Sequence, residues 1–143
     1  MTKRYTVGFL FSTDLSRVLL IHKLTPEWQK GRVNGIGGKY EGEETAHECI
    51  VREMREEAAV ETTNDHWQHV GRLHGEDWSV DILAARHEGS EDDAQSLEEQ
   101  QVEWFSVAAL PTNVIANVHW IVPLCVDVLQ NGKIHFVDAR YRE

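Results

Sequence analysis

The stretch from Gly37 to Val60, GGKYEGEETAHECIVREMREEAAV, limits what this chain can be more than any other part of it. A Gly-rich loop runs directly into a segment with helical spacing that carries Arg52, Glu53, Glu56 and Glu57. At about 100° per residue, Glu53, Glu56 and Glu57 fall within roughly one hundred degrees of arc, so three carboxylates share one face. Traced back one and two turns, that arc holds Ala46, Cys49 and Ile50, so the acids continue an apolar stripe. A merely solvated face would put its acids opposite the apolar residues, as Arg55 and Glu48 are placed. Met54, Val51 and Ala58 form a second apolar patch, so the helix is expected to pack along much of its circumference and aim its acids into a cleft.

Like charges on adjacent turns repel, and partial burial raises that cost. A divalent cation resolves the conflict, because carboxylate oxygens are the hard ligands that Mg²⁺ and Mn²⁺ prefer. The planar fork of Arg52 is suited to holding a loop carbonyl or a carboxylate beside them.

Gly38, five residues, Glu44, seven residues and then Arg52-Glu53-Met54-Arg55-Glu56-Glu57-Ala58-Ala59-Val60 resembles the Nudix box, Gly-x5-Glu-x7-Arg-Glu-U-x-Glu-Glu-x-Gly-U with U aliphatic. Ala59 departs from the pattern, standing where the family has Gly. Ala resists the left-handed conformation that Gly adopts freely, so the effect is expected on the turn and not on the chemistry. The resemblance implies an α/β/α sandwich with a mixed β-sheet, of the α/β (α+β) class, as a single domain over residues 1–143. It implies Mg²⁺, with Mn²⁺ as a substitute, held by Glu53, Glu56, Glu57 and Gly38. Arg52 holds the constellation, one of Glu53, Glu56 or Glu99 orients or deprotonates water, and Glu44, two turns before Arg52, braces loop and helix.

The 143-residue chain is long enough to bury a core, with 41% hydrophobic and 27% charged residues. A net charge of −10 argues against a nucleic-acid polymer as partner while leaving a free nucleotide that arrives with its own metal. Cys49 and Cys125 occupy apolar helical positions and read as core residues in a reducing compartment. No stretch approaches the eighteen or so apolar residues of a membrane span, and the N-terminus alternates like a strand, so the expected location is cytoplasmic. The oligomeric expectation is a monomer or homodimer. The eight histidines show no metal-site spacing.

In chain order, Tyr5–Phe11 and Arg17–Lys23 read as strands around a short loop, and residues 25–33 as an irregular loop. Trp28 within that loop is expected to pack against it, with stacking on a ligand as the other reading. Asn34-Gly35-Ile36-Gly37-Gly38-Lys39 forms a phosphate-side wall, since its glycines let backbone N–H groups approach an oxyanion. The same segment reads Asn-Gly-x-Gly-Gly-Lys in Nudix relatives that cleave oxidised purine nucleotides, where the Asn contacts the base. Asn34 and Lys39 are therefore substrate-side candidates, and Glu41, in the loop leading to the helix, is a further candidate on the substrate side, for metal or phosphate-bound water. The box helix is expected from Glu43 or Glu44 to Ala58, and strands over Trp67–His74 and Trp78–His87. Glu88–Glu99 reads as a mobile acidic loop ending five residues before Trp104. The resemblance implies a Glu on the loop before that Trp-containing strand that meets the metal or the attacking water, for which the spacing favours Glu99, with Glu98 second. A helix capped by Thr112 or Asn113 is expected to reach Leu129, with Pro123 predicting a kink or late start and Asn117 a specificity candidate. Ile134–Val137 could add a last strand.

The resulting expectation is Mg²⁺-dependent hydrolysis of a nucleoside diphosphate linked to another moiety. The leading substrate is a nucleoside triphosphate, oxidised purine nucleotides included, cleaved to the monophosphate and pyrophosphate. ADP-ribose and dinucleoside polyphosphates are the alternatives, and a nucleotide-sensing module without turnover is the reading of a different class.

Overall fold

The computed structural model describes residues 2–142. Its frame is an eight-stranded mixed sheet in the order β3-β2-β1-β6-β5-β8, with β4 paired to β1 and β7 to β2. The strands are β1 Lys3–Phe11, β2 Arg17–His22, β3 Val33–Asn34, β4 Ile36–Lys39, β5 Gln68–His74, β6 Trp78–Arg86, β7 Val102–Ser106 and β8 Val137–Arg140. β1 runs parallel to β6 and β5 parallel to β8, while the remaining pairs are antiparallel.

One helix covers each face. Val7, Phe9, Phe11, Val18, Leu20, Ile82 and Ala84 point to the side of α2 (Val118–Asn131), where they pack on Val118, Ile121, Val122, Cys125 and Val128. The intervening Leu10, Leu19, Ile21, Leu83 and Ala85 point to the side of α1 (Ala46–Ala58), against Ile50, Met54 and Ala58. Because both faces are covered, these central strands are nearly continuous apolar runs, as strands buried on two sides must be. The expected mixed sheet between helices is therefore the architecture found. Gly8 lies where α1 crosses β1, and a Cβ there would meet Ile50 Cδ1 at 2.3 Å, so helix and strand approach more closely than any side chain would permit. Both cysteines are buried and free.

Three element boundaries and one loop depart from the sequence expectation. The box helix begins at Ala46, because Thr45 and Glu48 close a capping box that satisfies the first amides, Thr45 Oγ1 accepting from Glu48 N–H and Glu48 Oε1 from Thr45 N–H. Glu43 and Glu44 are left outside it. α2 starts at Val118 instead of near Asn113, since the preceding segment is drawn to β3, where the Val33 amide donates to the Asn113 carbonyl and the Ile115 amide to the Val33 carbonyl. Pro123 then lies in the second turn, where its missing N–H forfeits a single bond to the first turn. The last strand forms at Val137–Arg140, set by the edge of β5 and not by the apolar run before it. The loop read as mobile is tethered by Trp104 Nε1 to the Glu91 carbonyl at 2.9 Å, by the Gln95 amide to the Ala58 carbonyl at 2.8 Å, and by Arg17 to Glu91 at 2.8 Å. No helix among the described residues is long and apolar enough to cross a membrane.

Candidate active site

Arg52 organises the acid-bearing end of α1. Its Nε and Nη2 grip Glu44 with both carboxylate oxygens, at 2.6 and 3.0 Å, in the bidentate geometry that a guanidinium fork favours. Nη2 also donates to the Lys39 carbonyl at 3.1 Å, tying the helix to the end of β4. Nη1 turns to the other acids: Glu53 at 2.8 Å, Glu41 at 2.8 Å and Glu56 at 3.2 Å. Glu44 reaches Arg52 because the capping box leaves it in the loop ahead of the helix. Hydrogen bonding to Arg52 holds the Glu44 carboxyl below its usual range.

Glu53 lies directly over β4. A Cβ on Gly38 would sit 2.6 Å from Glu53 Oε1, so only glycine lets the carboxylate settle against that backbone. Burial pushes the pKa of Glu53 up, against the opposing pull of Arg52. One turn on, Glu57 is 7% exposed, and its Oε2 is buried without a hydrogen-bond partner. Burial first, and the neighbouring Glu53 charge second, raise Glu57 to about 8, and a hydrogen bond shared with Glu53 favours its protonated form. Lys23 partly offsets this, while the charge of Glu98 adds to it.

This donor set fits a hard divalent cation in its chemistry: oxygen ligands only, one of them orphaned and buried, in a pair of carboxylates that cannot both ionise cheaply. It is not a converged cage, and among the described residues no three acid, His or Cys side chains are gathered closely enough to hold a metal. Arg52 occupies Glu53 and Glu56 in their place, as an internal counter-ion.

A cleft of about 820 Å³ opens beside β4 and runs over the α2 side of the sheet. Asn34, Gly37, Gly38 and Lys39 line one flank, and Asn117 and Tyr141 line another. Its charged lining is Lys3, Lys23, Arg32 and Lys39 against Asp77, a cationic interior in a chain of net charge −10. Asn34 is held between Gln29 Oε1, to which its Nδ2 donates at 3.0 Å, and the Gly35 amide, from which its Oδ1 accepts at 2.8 Å. Asn117 Nδ2 donates to Tyr141 Oη at 3.1 Å.

The sequence candidates therefore fall into two groups. Arg52, Glu53, Glu56, Glu57, Glu44, Glu41 and Gly38 converge on one end of α1, and Asn34, Lys39 and Asn117 line the adjoining cleft. Glu41 is paired with Arg52. Glu98 and Glu99 are both exposed, and the charge of Glu98 adds a minor contribution to the raised pKa of Glu57. Trp28 does not pack into its loop: it is 66% exposed and lines the cleft, which corrects the expectation. Tyr141 was missed altogether, because β8 carries it across the sheet from a part of the sequence with no visible link to the box.

The family model for the NUDIX domain matches residues 2–123. The NAD-capped RNA hydrolase NudC of Pseudomonas entomophila (strain L48) is 35% identical over 92 residues, 61% of this chain and 32% of that protein. The chain thus spans about a third of the length of the curated relatives it matches. Among solved structures, an ADP-ribose pyrophosphatase from Streptococcus suis superposes with a TM-score of 0.70 at 19% identity, covering 99% of this chain and 100% of that one. A MutT protein from Bacillus halodurans superposes with a TM-score of 0.70 at 24% identity, covering 97% and 90%. At these identities the structural likeness establishes the fold alone.

Proposed function

The chain belongs to the Nudix family, and from that premise we propose that it is a pyrophosphohydrolase acting on a nucleoside diphosphate linked to another moiety, with a nucleoside triphosphate as substrate and the monophosphate and pyrophosphate as products. The observation that carries the reading is Glu57: a buried carboxylate oxygen without a partner, at the acid end of α1, beside a cationic cleft large enough for a nucleotide. A merely structural acid would be fully satisfied.

In this reading Glu53, Glu56 and Glu57 would hold Mg²⁺ against the Gly38 backbone. When bound, the cation neutralises phosphate charge and polarises the scissile phosphoanhydride. Arg52 keeps Glu41, Glu44 and the β4 end in fixed relation to the helix, so that the acids are placed before substrate arrives. Glu53 and Glu57, whose mutual hydrogen bond favours a protonated carboxyl in the metal-free protein, would have to be ionised to hold the cation. Glu56, 49% exposed and held through a 3.2 Å contact with Arg52, is the more accessible of these carboxylates and would also accept a proton from attacking water. Lys23, Arg32 and Lys39 supply fixed positive charge along the cleft where the polyphosphate would lie.

A panel of nucleoside triphosphates, ADP-ribose and dinucleoside polyphosphates, incubated with Mg²⁺ and analysed for products, tests this directly. Turnover of a triphosphate to monophosphate and pyrophosphate is the expected result. Preference for ADP-ribose would replace the substrate and keep the chemistry, whereas binding without turnover across the panel would replace the enzyme with a sensor.

A further inference from the structure

Trp28 is the most exposed of the large apolar side chains, at 66%, and it is held in place by a stiff support. It rides on the short turn Glu27–Gln29, closed by Gln29 N–H to the Pro26 carbonyl at 2.9 Å and Lys30 N–H to the Glu27 carbonyl at 3.2 Å. The stem below is zipped by Lys23 N–H to the Arg32 carbonyl at 2.8 Å and Gly31 N–H to the Lys23 carbonyl at 3.0 Å. Gln100 Oε1 accepts from the Leu24 and Thr25 amides, and Asn113 Nδ2 donates to the Gly31 carbonyl, so both flanks are fastened to other parts of the chain. A loop this well bonded has no need of an indole held out in water, and Trp28 faces the cleft.

The neighbour of Trp28 in the turn fixes a polar group of the same cleft. Gln29 Oε1 takes one N–H of Asn34 Nδ2, and the Gly35 amide takes one lone pair of Asn34 Oδ1, which determines the orientation of the amide. One N–H and one lone pair of Asn34 remain. A flat face beside a donor and acceptor pair of fixed orientation is the arrangement that a heteroaromatic ring fits, face to the indole and edge to the amide.

We propose that Trp28 is the stacking platform for the nucleobase of the substrate, and that it sets affinity for nucleotides over ring-free polyphosphates. The proposal rests on the cleft being the nucleotide site, as argued above. It assigns Trp28 a specificity role, separate from the hydrolytic chemistry of the acids on α1. Because the side chain is mostly exposed, its removal leaves no core cavity.

The test uses the full chain as wild type, Trp28→Ala and Trp28→Phe. Binding of ADP, GDP and inorganic pyrophosphate is measured by calorimetry in Mg²⁺, together with quenching of tryptophan fluorescence. Trp28→Ala should weaken ADP and GDP by roughly tenfold to a hundredfold and leave pyrophosphate unchanged, while Trp28→Phe stays within about threefold of wild type. Nucleotide-induced quenching should fall in both variants, and the melting temperature should move by no more than about 2 °C. Equal loss for pyrophosphate, unchanged nucleotide affinity in Trp28→Ala, or no affinity gain from the base in the wild type would overturn the proposal. These outcomes separate from those of the catalytic reading. Failure of turnover across the panel sinks the hydrolase while base-dependent binding survives, and normal turnover with an unchanged KM in Trp28→Ala sinks the platform alone.

Discussion

Two acid clusters sit on the α1 side of the sheet, and they are opposites. Asp81 on β6 is 0% exposed, yet every demand of its charge is met: His69 at 2.8 Å and Arg72 at 2.7 Å share Oδ1, and Tyr40 donates to Oδ2. Burial alone would raise its pKa, but the bonds from His69, Tyr40 and Arg72 outweigh burial and hold Asp81 at about 2. Glu57 is nearly as buried and is raised to about 8, with one oxygen unpartnered. The contrast separates a carboxylate that serves the fold from one kept under-satisfied for something that arrives later. Burial does not distinguish them; hydrogen-bond supply does.

The sharpest way to break the comparison is to neutralise each acid in turn. Glu57→Gln, like Glu56→Gln, should lower kcat on the best substrate of the panel by about a thousandfold, because an amide is a poor ligand for the cation. Glu57→Gln should at the same time leave the metal-free protein as stable or more so, since it removes an acid whose ionisation burial penalises. Near-normal turnover would refute the site. Asp81→Ala should do the reverse. It leaves Arg72 and His69 facing an empty position and should cost about 3 to 5 kcal/mol by denaturant unfolding, with kcat per folded molecule little changed.

Acidity sharpens the contrast further, because the two groups push stability in opposite directions with pH. The folded value of Glu57 lies above its unfolded value of 4.5, so its contribution is fully present below pH 4.5 and is lost as pH rises toward about 8. Metal-free protein should therefore lose up to about 1.4 kcal/mol per pH unit across that interval. Saturating Mg²⁺, or Glu57→Gln, should flatten the slope. Asp81 is depressed from 3.8 to about 2, so its contribution of about 2 kcal/mol is present above pH 3.8 and is lost as pH falls below it. A slope above pH 4.5 that is indifferent to both Mg²⁺ and Glu57→Gln would remove Glu57 from the account.

The same contrast explains what the sequence could reveal. Glu53, Glu56 and Glu57 announce themselves through spacing on a single helix, where 3.6 residues per turn converts sequence into position. The strands were legible for a similar reason, as apolar runs bounded by turn residues. Asp81 gave no such signal, because its partners Tyr40, His69 and Arg72 come from a loop and from β5, and only sheet pairing brings them together. Tyr141 reaches the cleft in the same manner, through the parallel β5–β8 pairing. The loop that carries Glu98 and Glu99 is tethered to the end of α1 through Gln95, a contact that no local pattern encodes. The late start of α2 has the same origin, in the pull of β3 on Asn113 to Ile115.

The smallest expected effect concerns the one departure from the box. Ala59 ends α1 in the left-handed region at φ 59° and ψ 21°, its amide donating to the Arg55 and Met54 carbonyls. The conformation the motif usually assigns to Gly is thus kept, with a Cβ that disfavours it. Relief of that strain and the greater chain entropy of glycine when unfolded act against each other, and at positive φ the strain wins. Ala59→Gly should stabilise the protein by about 0.5 to 1 kcal/mol, read as a rise in the unfolding midpoint at constant slope. Turnover should not change, since Ala59 lies beyond the acids it follows and the Arg52 contacts do not pass through it. A change in kcat would mean that the turn and the placement of Glu57 are coupled, so that the under-satisfied acid depends on the strained cap two residues away.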